Sequence, residues 1–106
     1  MGFFDFLKVP DIHEGVSEYQ ATPCAVLLDV RTPQEYREGH LPDSVNVPLQ
    51  SLGDIQEVVE NKDTQVYVYC HSGSRSRQAA AVLQQMGYTN VKNIGGIASY
   101  TGKVEK

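Results

Sequence analysis

Tyr69-Cys70-His71-Ser72-Gly73-Ser74-Arg75-Ser76 lies between two stretches of opposite character. Before it runs Gln65-Val66-Tyr67-Val68-Tyr69, short and apolar, which reads as a strand. After it runs Gln78-Ala79-Ala80-Ala81-Val82-Leu83, rich in helix formers. The spacing therefore predicts a cysteine where a strand ends and a helix begins, in a loop of small residues closed by arginine. That setting favours a thiolate. Helix N-terminal N–H groups and the positive end of the macrodipole attract an anion. An adjacent guanidinium acts in the same direction, and both lower a thiol pKa. Ser72, Gly73 and Ser74 let the backbone curl until several N–H groups face one point. A buried cysteine with no reactivity is the ordinary alternative, and the loop context argues against it.

Outward from this stretch, the rest of the chain reads as alternating strands and helices. Ile12, Val16 and Tyr19 stand at helical spacing after Pro10, in a helix that Gly15 weakens. Ala25-Val26-Leu27-Leu28-Asp29-Val30 is a continuous apolar run, as expected of a buried parallel strand. Thr32-Pro33-Gln34-Glu35 has the pattern of an N-cap, proline at the first helical position and an acid at the third; Gly39 stops that short helix. Val45-Asn46-Val47 is a short strand ended by Pro48. Apolar residues at 49, 52, 55, 58 and 59 form a helical stripe, and Asn61-Lys62-Asp63 a turn. The helix after Cys70 runs to about Met86, and residues 90–94 form a last strand before Gly95-Gly96. This order predicts an α/β sandwich with a mainly parallel sheet between helices. Ligands in such sheets lie beyond the carboxyl ends of the strands, which is where Asp29–Arg31, Cys70–Arg75 and Gly95-Gly96 all fall.

Bulk properties narrow the function. The 106 residues suffice for one modest core. A net charge of −4, from 9 basic and 13 acidic side chains, argues against a nucleic-acid partner. The two cysteines stand far apart and make no disulfide framework, and with three scattered histidines they lack zinc-ligand spacing. A reducing cytoplasm suits a free reactive thiol. No apolar run approaches the roughly 20 residues of a membrane span. Met1 to Lys8 lacks the basic start and small-residue cleavage site of a secretory signal, and Phe6 breaks the myristoylation pattern. Residues 1–9 are expected to pack their three phenylalanines on the domain, with a weak membrane or partner contact as the other reading.

Leu28-Asp29-Val30-Arg31, Glu35-Tyr36, Gly39-His40-Leu41-Pro42, Asn46-Val47-Pro48, the Cys70–Ser76 loop, Gly87-Tyr88 and Gly95-Gly96 occur in the order found in rhodanese domains. Over residues 10–102, leaving an apolar segment 1–9 and a polar tail 103–106, the chain resembles a single-domain thiosulfate sulfurtransferase. The resemblance implies a three-layer rhodanese-like fold. It also implies that Cys70 takes the sulfane sulfur of a thiosulfate-like donor as a persulfide and yields it to a thiol or cyanide, without metal or organic cofactor. Arg75 and the loop residues His71, Ser72, Gly73, Ser74 and Ser76 would bind the donor. Related cysteine phosphatases and arsenate reductases use a loop one residue longer between Cys and Arg, so the short nest here favours a single sulfur atom. A persulfide-carrier module that serves a sulfur-accepting protein is the non-enzymatic alternative.

Several side chains carry two readings. His71 either contacts donor or acceptor or stands exposed at the loop mouth. Asp29 and Arg31 either support the loop or satisfy structural hydrogen bonds, with Arg31 paired to Glu35. His40 is expected to be structural. Tyr100 stands where family members commonly carry Trp, and packs as an aromatic lid. Asp43-Ser44 replaces a common Gly-Ala and alters a turn. Cys24 begins a strand of about 20 Å whose far end faces the site, so it is expected to be a packing residue beyond reach of Cys70.

Overall fold

The computed structural model describes residues 10–106, and these residues form nine elements. Helix α1 (Ile12–Ala21) starts at Asp11, whose carboxylate accepts the His13 N–H at 2.9 Å. Strand β1 (Val26–Asp29) follows, then α2 (Pro33–Glu38), β2 (Val45–Asn46) and a 3₁₀ helix over Leu49–Glu57. Strand β3 (Val66–Cys70) leads into α3 (Ser74–Gln85), β4 (Val91–Gly96) and a 3₁₀ turn at Ile97–Ser99. The sheet order is β2-β1-β3-β4, every pair parallel.

Successive residues of a strand point to opposite faces, and here both faces are covered. Leu28, Val66, Val68 and Cys70 join Ile55, Ala79 and Leu83 in the core beneath α3 and the 3₁₀ helix. Leu27, Tyr67 and Tyr69 join Ile12, Val16 and Ile94 in the core beneath α1. The result is the expected α/β sandwich of three layers. Gly15, which weakens α1 as an isolated helix, is a contact residue: a Cβ there would overlap the Ile94 side chain. The N-terminal phenylalanines belong to residues 1–9, outside the described residues.

Three local expectations change. Apolar positions 49, 52, 55 and 58 recur every third residue, the period of a 3₁₀ rather than an α-helix, and the chain adopts the tighter form with Leu52 and Ile55 buried. Cys70 is the last residue of β3, in register with Gly96, rather than the first of the loop. Cys24 is no packing residue. It is exposed in the turn before β1, with φ of 63°. The polar tail also makes an ordered contact, a two-bond antiparallel bridge between His40 and Glu105 at 2.8 Å each. Among the described residues no helix is long and apolar enough to cross a membrane.

Candidate active site

The site is built where β3 gives way to α3. Cys70 is wholly buried at the end of β3, on the α3 side of the sheet. His71 and Ser72 then carry the chain to the surface, and Gly73 turns it back with φ of 102°, a left-handed conformation that glycine adopts without strain. Gly73 is the N-cap of α3, and its N–H donates to Cys70 Sγ at 3.0 Å. The three helix starts differ in their caps. Asp11 caps α1, and Thr32 and Glu35 form a complete capping box on α2. Among the described residues no side chain caps α3. Its first N–H groups face the region of Cys70 without a competing carboxylate or hydroxyl cap.

Burial pushes the Cys70 thiol up, but hydrogen bonding from Ser76 (hydroxyl and N–H) and from the Gly73 and Ser72 amides outweighs it. The net effect holds the thiol below its ordinary value. Ser76 is itself fully buried in the first turn of α3. Its hydroxyl lies 2.7 Å from Asn93 Oδ1 and 3.0 Å from the Gly73 carbonyl. Asn93 Oδ1 also accepts the Gly95 N–H at 3.0 Å. Asn93 therefore ties β4 to the loop at the bulge that places Gly95 opposite Tyr69. Gly96 closes the back of the loop, because a Cβ there would overlap the His71 carbonyl, which accepts the Ala98 N–H at 3.0 Å.

Arg75, expected as the loop's closing residue, sits in the first turn of α3. Its guanidinium meets Glu35 end-on, Nη1 to Oε1 at 2.8 Å and Nη2 to Oε2 at 3.0 Å. The Arg75 contact, together with the Thr32 N–H and hydroxyl and against some burial, holds the Glu35 carboxyl down at about 2. The expected Arg31–Glu35 pair is thus not formed. Arg31 instead folds onto Asp29, with Nε within 3.1 Å of both carboxylate oxygens and Nη2 at 2.8 Å. It also donates to the Gly39 carbonyl at 2.7 Å. Asp29 takes the Arg31 N–H as well, and both residues are buried. They brace the chain between β1 and Leu41, where Tyr69 Oη accepts the Leu41 N–H. Tyr69 stays a protonated phenol, its pKa raised by burial first and by Asp29 next.

The remaining candidates separate. His71, Ser72 and Ser74 line the surface of the loop, all three exposed. His40 packs flat on Tyr36, ring centroids 3.7 Å apart, with Nδ1 at 2.8 Å from the Tyr36 carbonyl. Tyr100 stacks on His13 of α1 and belongs to the α1-side core, whereas Cys70 lies in the other core, so its ring is not the expected lid. Two site residues escape the sequence reading. Glu35 is legible as a helix-start acid, but its second role depends on a contact 40 residues away. Asn93 is hidden in a short strand, its only signal being a polar residue just ahead of Gly95-Gly96. Chemically, the assembly is a buried thiol with hydrogen-bond donors already aimed at its negative form, an arrangement suited to a sulfur nucleophile.

Comparison with known proteins supplies the family. The model of the rhodanese-like domain matches residues 13–103. The thiosulfate sulfurtransferase PspE of Escherichia coli (strain K12) is 41% identical over 71 residues, covering 66% of this chain and 68% of that protein. A putative sulfur carrier protein, YrkF, of Bacillus subtilis (strain 168) is 37% identical over 82 residues, and there the chain spans 43% of the relative's length. Among solved structures, an E. coli rhodanese with anions superposes with a TM-score of 0.73 at 36% identity, covering 77% of this chain and 98% of that one. The family match spans the Cys70 loop, the parallel sheet and nearly all of both buried cores, and on it the chain belongs to the rhodanese-like sulfurtransferase family.

Proposed function

We propose that the protein transfers sulfane sulfur through a persulfide on Cys70. The Cys70 thiolate attacks the outer sulfur of a donor such as thiosulfate. The Sγ–S bond forms as the donor's S–S bond breaks, and sulfite leaves with the electron pair. A thiol or cyanide then attacks the outer sulfur of the persulfide, and Cys70 returns as thiolate. Both steps move an electron pair from one sulfur to another, so no external oxidant enters. The observation that carries this reading is the Gly73 N–H on Cys70 Sγ at the start of a helix that no side chain caps. The amides of residues 71–76 bind the anion, with Arg75 at the edge of the loop paired to Glu35, and the terminal persulfide sulfur takes the place next to those amides.

Similarity to PspE supports thiosulfate as a donor. Similarity to a putative sulfur carrier, together with the exposed His71 and Ser72 at the loop, supports a second reading in which the persulfide is handed to a protein thiol. Intact mass after incubation with thiosulfate tests the shared step. The expected result is a gain of one sulfur, lost on adding cyanide and absent from Cys70→Ser. A Cys70→Ser variant that still gains and transfers sulfur would remove Cys70 from the reaction. Transfer from the loaded protein to a protein thiol, with none to cyanide or a small thiol, would select the carrier reading.

A further inference from the structure

The arginines of the site are already committed to carboxylates within the chain. Arg75 is held by Glu35 in a two-bond pair, and Arg31 by Asp29 in a buried one. Glu35 is not free to move away, because its Oε1 also accepts the Thr32 N–H and hydroxyl of the α2 capping box, each at 3.1 Å. Arg77, two positions beyond Arg75, falls on a different face of α3. His71 carries a charge only when protonated. The Arg75–Glu35 pair beside the Cys70 loop therefore sums to zero, as does the Asp29–Arg31 pair beside Tyr69, and the thiolate makes the site net negative. The chain as a whole carries −4. A donor that brings two negative charges, as thiosulfate does, meets amide dipoles but, among the described residues of the loop and its flanks, no uncompensated cation.

We infer that Glu35 is a specificity-determining residue, which withholds the Arg75 charge from the donor and so selects sulfane sulfur carried on a thiol over sulfane sulfur carried on sulfite. This rests on the sulfur-transfer reading and names its donor class: hydropersulfides, whose reacting end has no sulfonate. The step balances as Cys70–S⁻ plus R–S–SH giving Cys70–S–SH plus R–S⁻. The new S–S bond forms as the old one breaks, and the proton stays on the transferred sulfur. The loop amides suffice for this donor, since the only developing anion is the departing thiolate.

Glu35→Gln isolates the charge. Glutamine at this position still completes a capping box, so α2 keeps its start while Arg75 loses its counter-ion. The probes are thiosulfate and the hydropersulfide of 2-mercaptoethanol, and the readout is the second-order rate of Cys70 loading by intact mass at pH 8. In the wild type the hydropersulfide is expected to load faster by about tenfold or more, and thiosulfate loading to show little dependence on added salt. In Glu35→Gln the thiosulfate-to-hydropersulfide ratio is expected to rise by about tenfold, with a new decline of thiosulfate loading as salt is added. Thiosulfate loading as fast as the hydropersulfide in the wild type, or a ratio unmoved in a folded Glu35→Gln, overturns the inference and leaves sulfur transfer standing. Loading by neither donor overturns both. Should Glu35→Gln fail to fold, the wild-type comparison and its salt series decide alone.

Discussion

Arg75 and Glu35 join the first turns of two helices that the sequence separates by 40 residues, through paired contacts of 2.8 and 3.0 Å. The pair lies beside the Cys70 loop, and both partners are about one-third exposed. It therefore affects the site's charge more than it adds to stability, because water and salt screen a pair at that depth.

The same pair leaves a mark in acid. The Glu35 carboxyl is held at about 2 in the folded protein, mainly by Arg75, against an ordinary value of 4.5. A depressed folded-state value contributes stability in full above the unfolded value, and that contribution drains away as pH falls from 4.5 through about 2. Melting temperature followed by circular dichroism between those limits should fall more steeply for the wild type than for Glu35→Gln. Parallel curves would show that the pair has no part in acid unfolding.

Cys70 should alkylate as a thiolate at a lower pH than an ordinary cysteine. Its burial works against this, and the Ser76 and loop-amide contacts reverse the sign. The rate of iodoacetamide reaction plotted against pH should inflect below the usual thiol range. In Ser76→Ala the inflection should move upward, since the hydroxyl is lost while the amides remain. An inflection that stays in place would assign the whole effect to the backbone.

Much of this architecture is legible in the sequence because the same residues encode local and global choices. The apolar runs at 25–30 and 65–69 are buried on both faces, as continuous rather than alternating strands must be. Thr32-Pro33-Gln34-Glu35 forms its capping box. Other features are not legible, for physical reasons. The three-residue period at 49–58 is present, but apolar spacing alone passes easily for an α-helical stripe. The partner of Glu35 depends on how α2 and α3 are brought together, which no local pattern reports. Arg31 has an acid two residues before it and another four after it, and burial decides for Asp29.

Gly96 predicts how tightly the loop is backed. No side chain fits between it and the His71 carbonyl, and the obstacle is backbone rather than a flexible tip. Gly96→Ala should displace the loop, lose the Ala98–His71 bond and move the amides away from Cys70. Loading should then slow by about 100-fold, the effect of misplacing reacting groups by an ångström. Cys70 loading by intact mass, compared at equal folded fraction, measures it. Loading at the wild-type rate would mean the loop does not depend on that contact.

The buried Asp29–Arg31 pair separates support from chemistry. Asp29→Asn leaves the Arg31 guanidinium buried with its charge uncompensated, a change expected to destabilise by about 3–5 kcal/mol. The amide oxygen introduced by this substitution can still accept the Arg31 N–H that the Asp29 carboxylate accepts, so the local turn survives. Removing both charges, in Asp29→Asn with Arg31→Met, should recover a large part of that loss, because a buried ion pair gains little over a well-packed apolar replacement. Urea unfolding of both single variants and the double variant closes the cycle. Additive losses would mean the two side chains act separately, with Arg31 held chiefly by the Gly39 carbonyl. A recovered double variant that loads Cys70 at the wild-type rate would place the pair in the scaffold. A recovered but inactive one would show that the Arg31 charge reaches the sulfur site beside it.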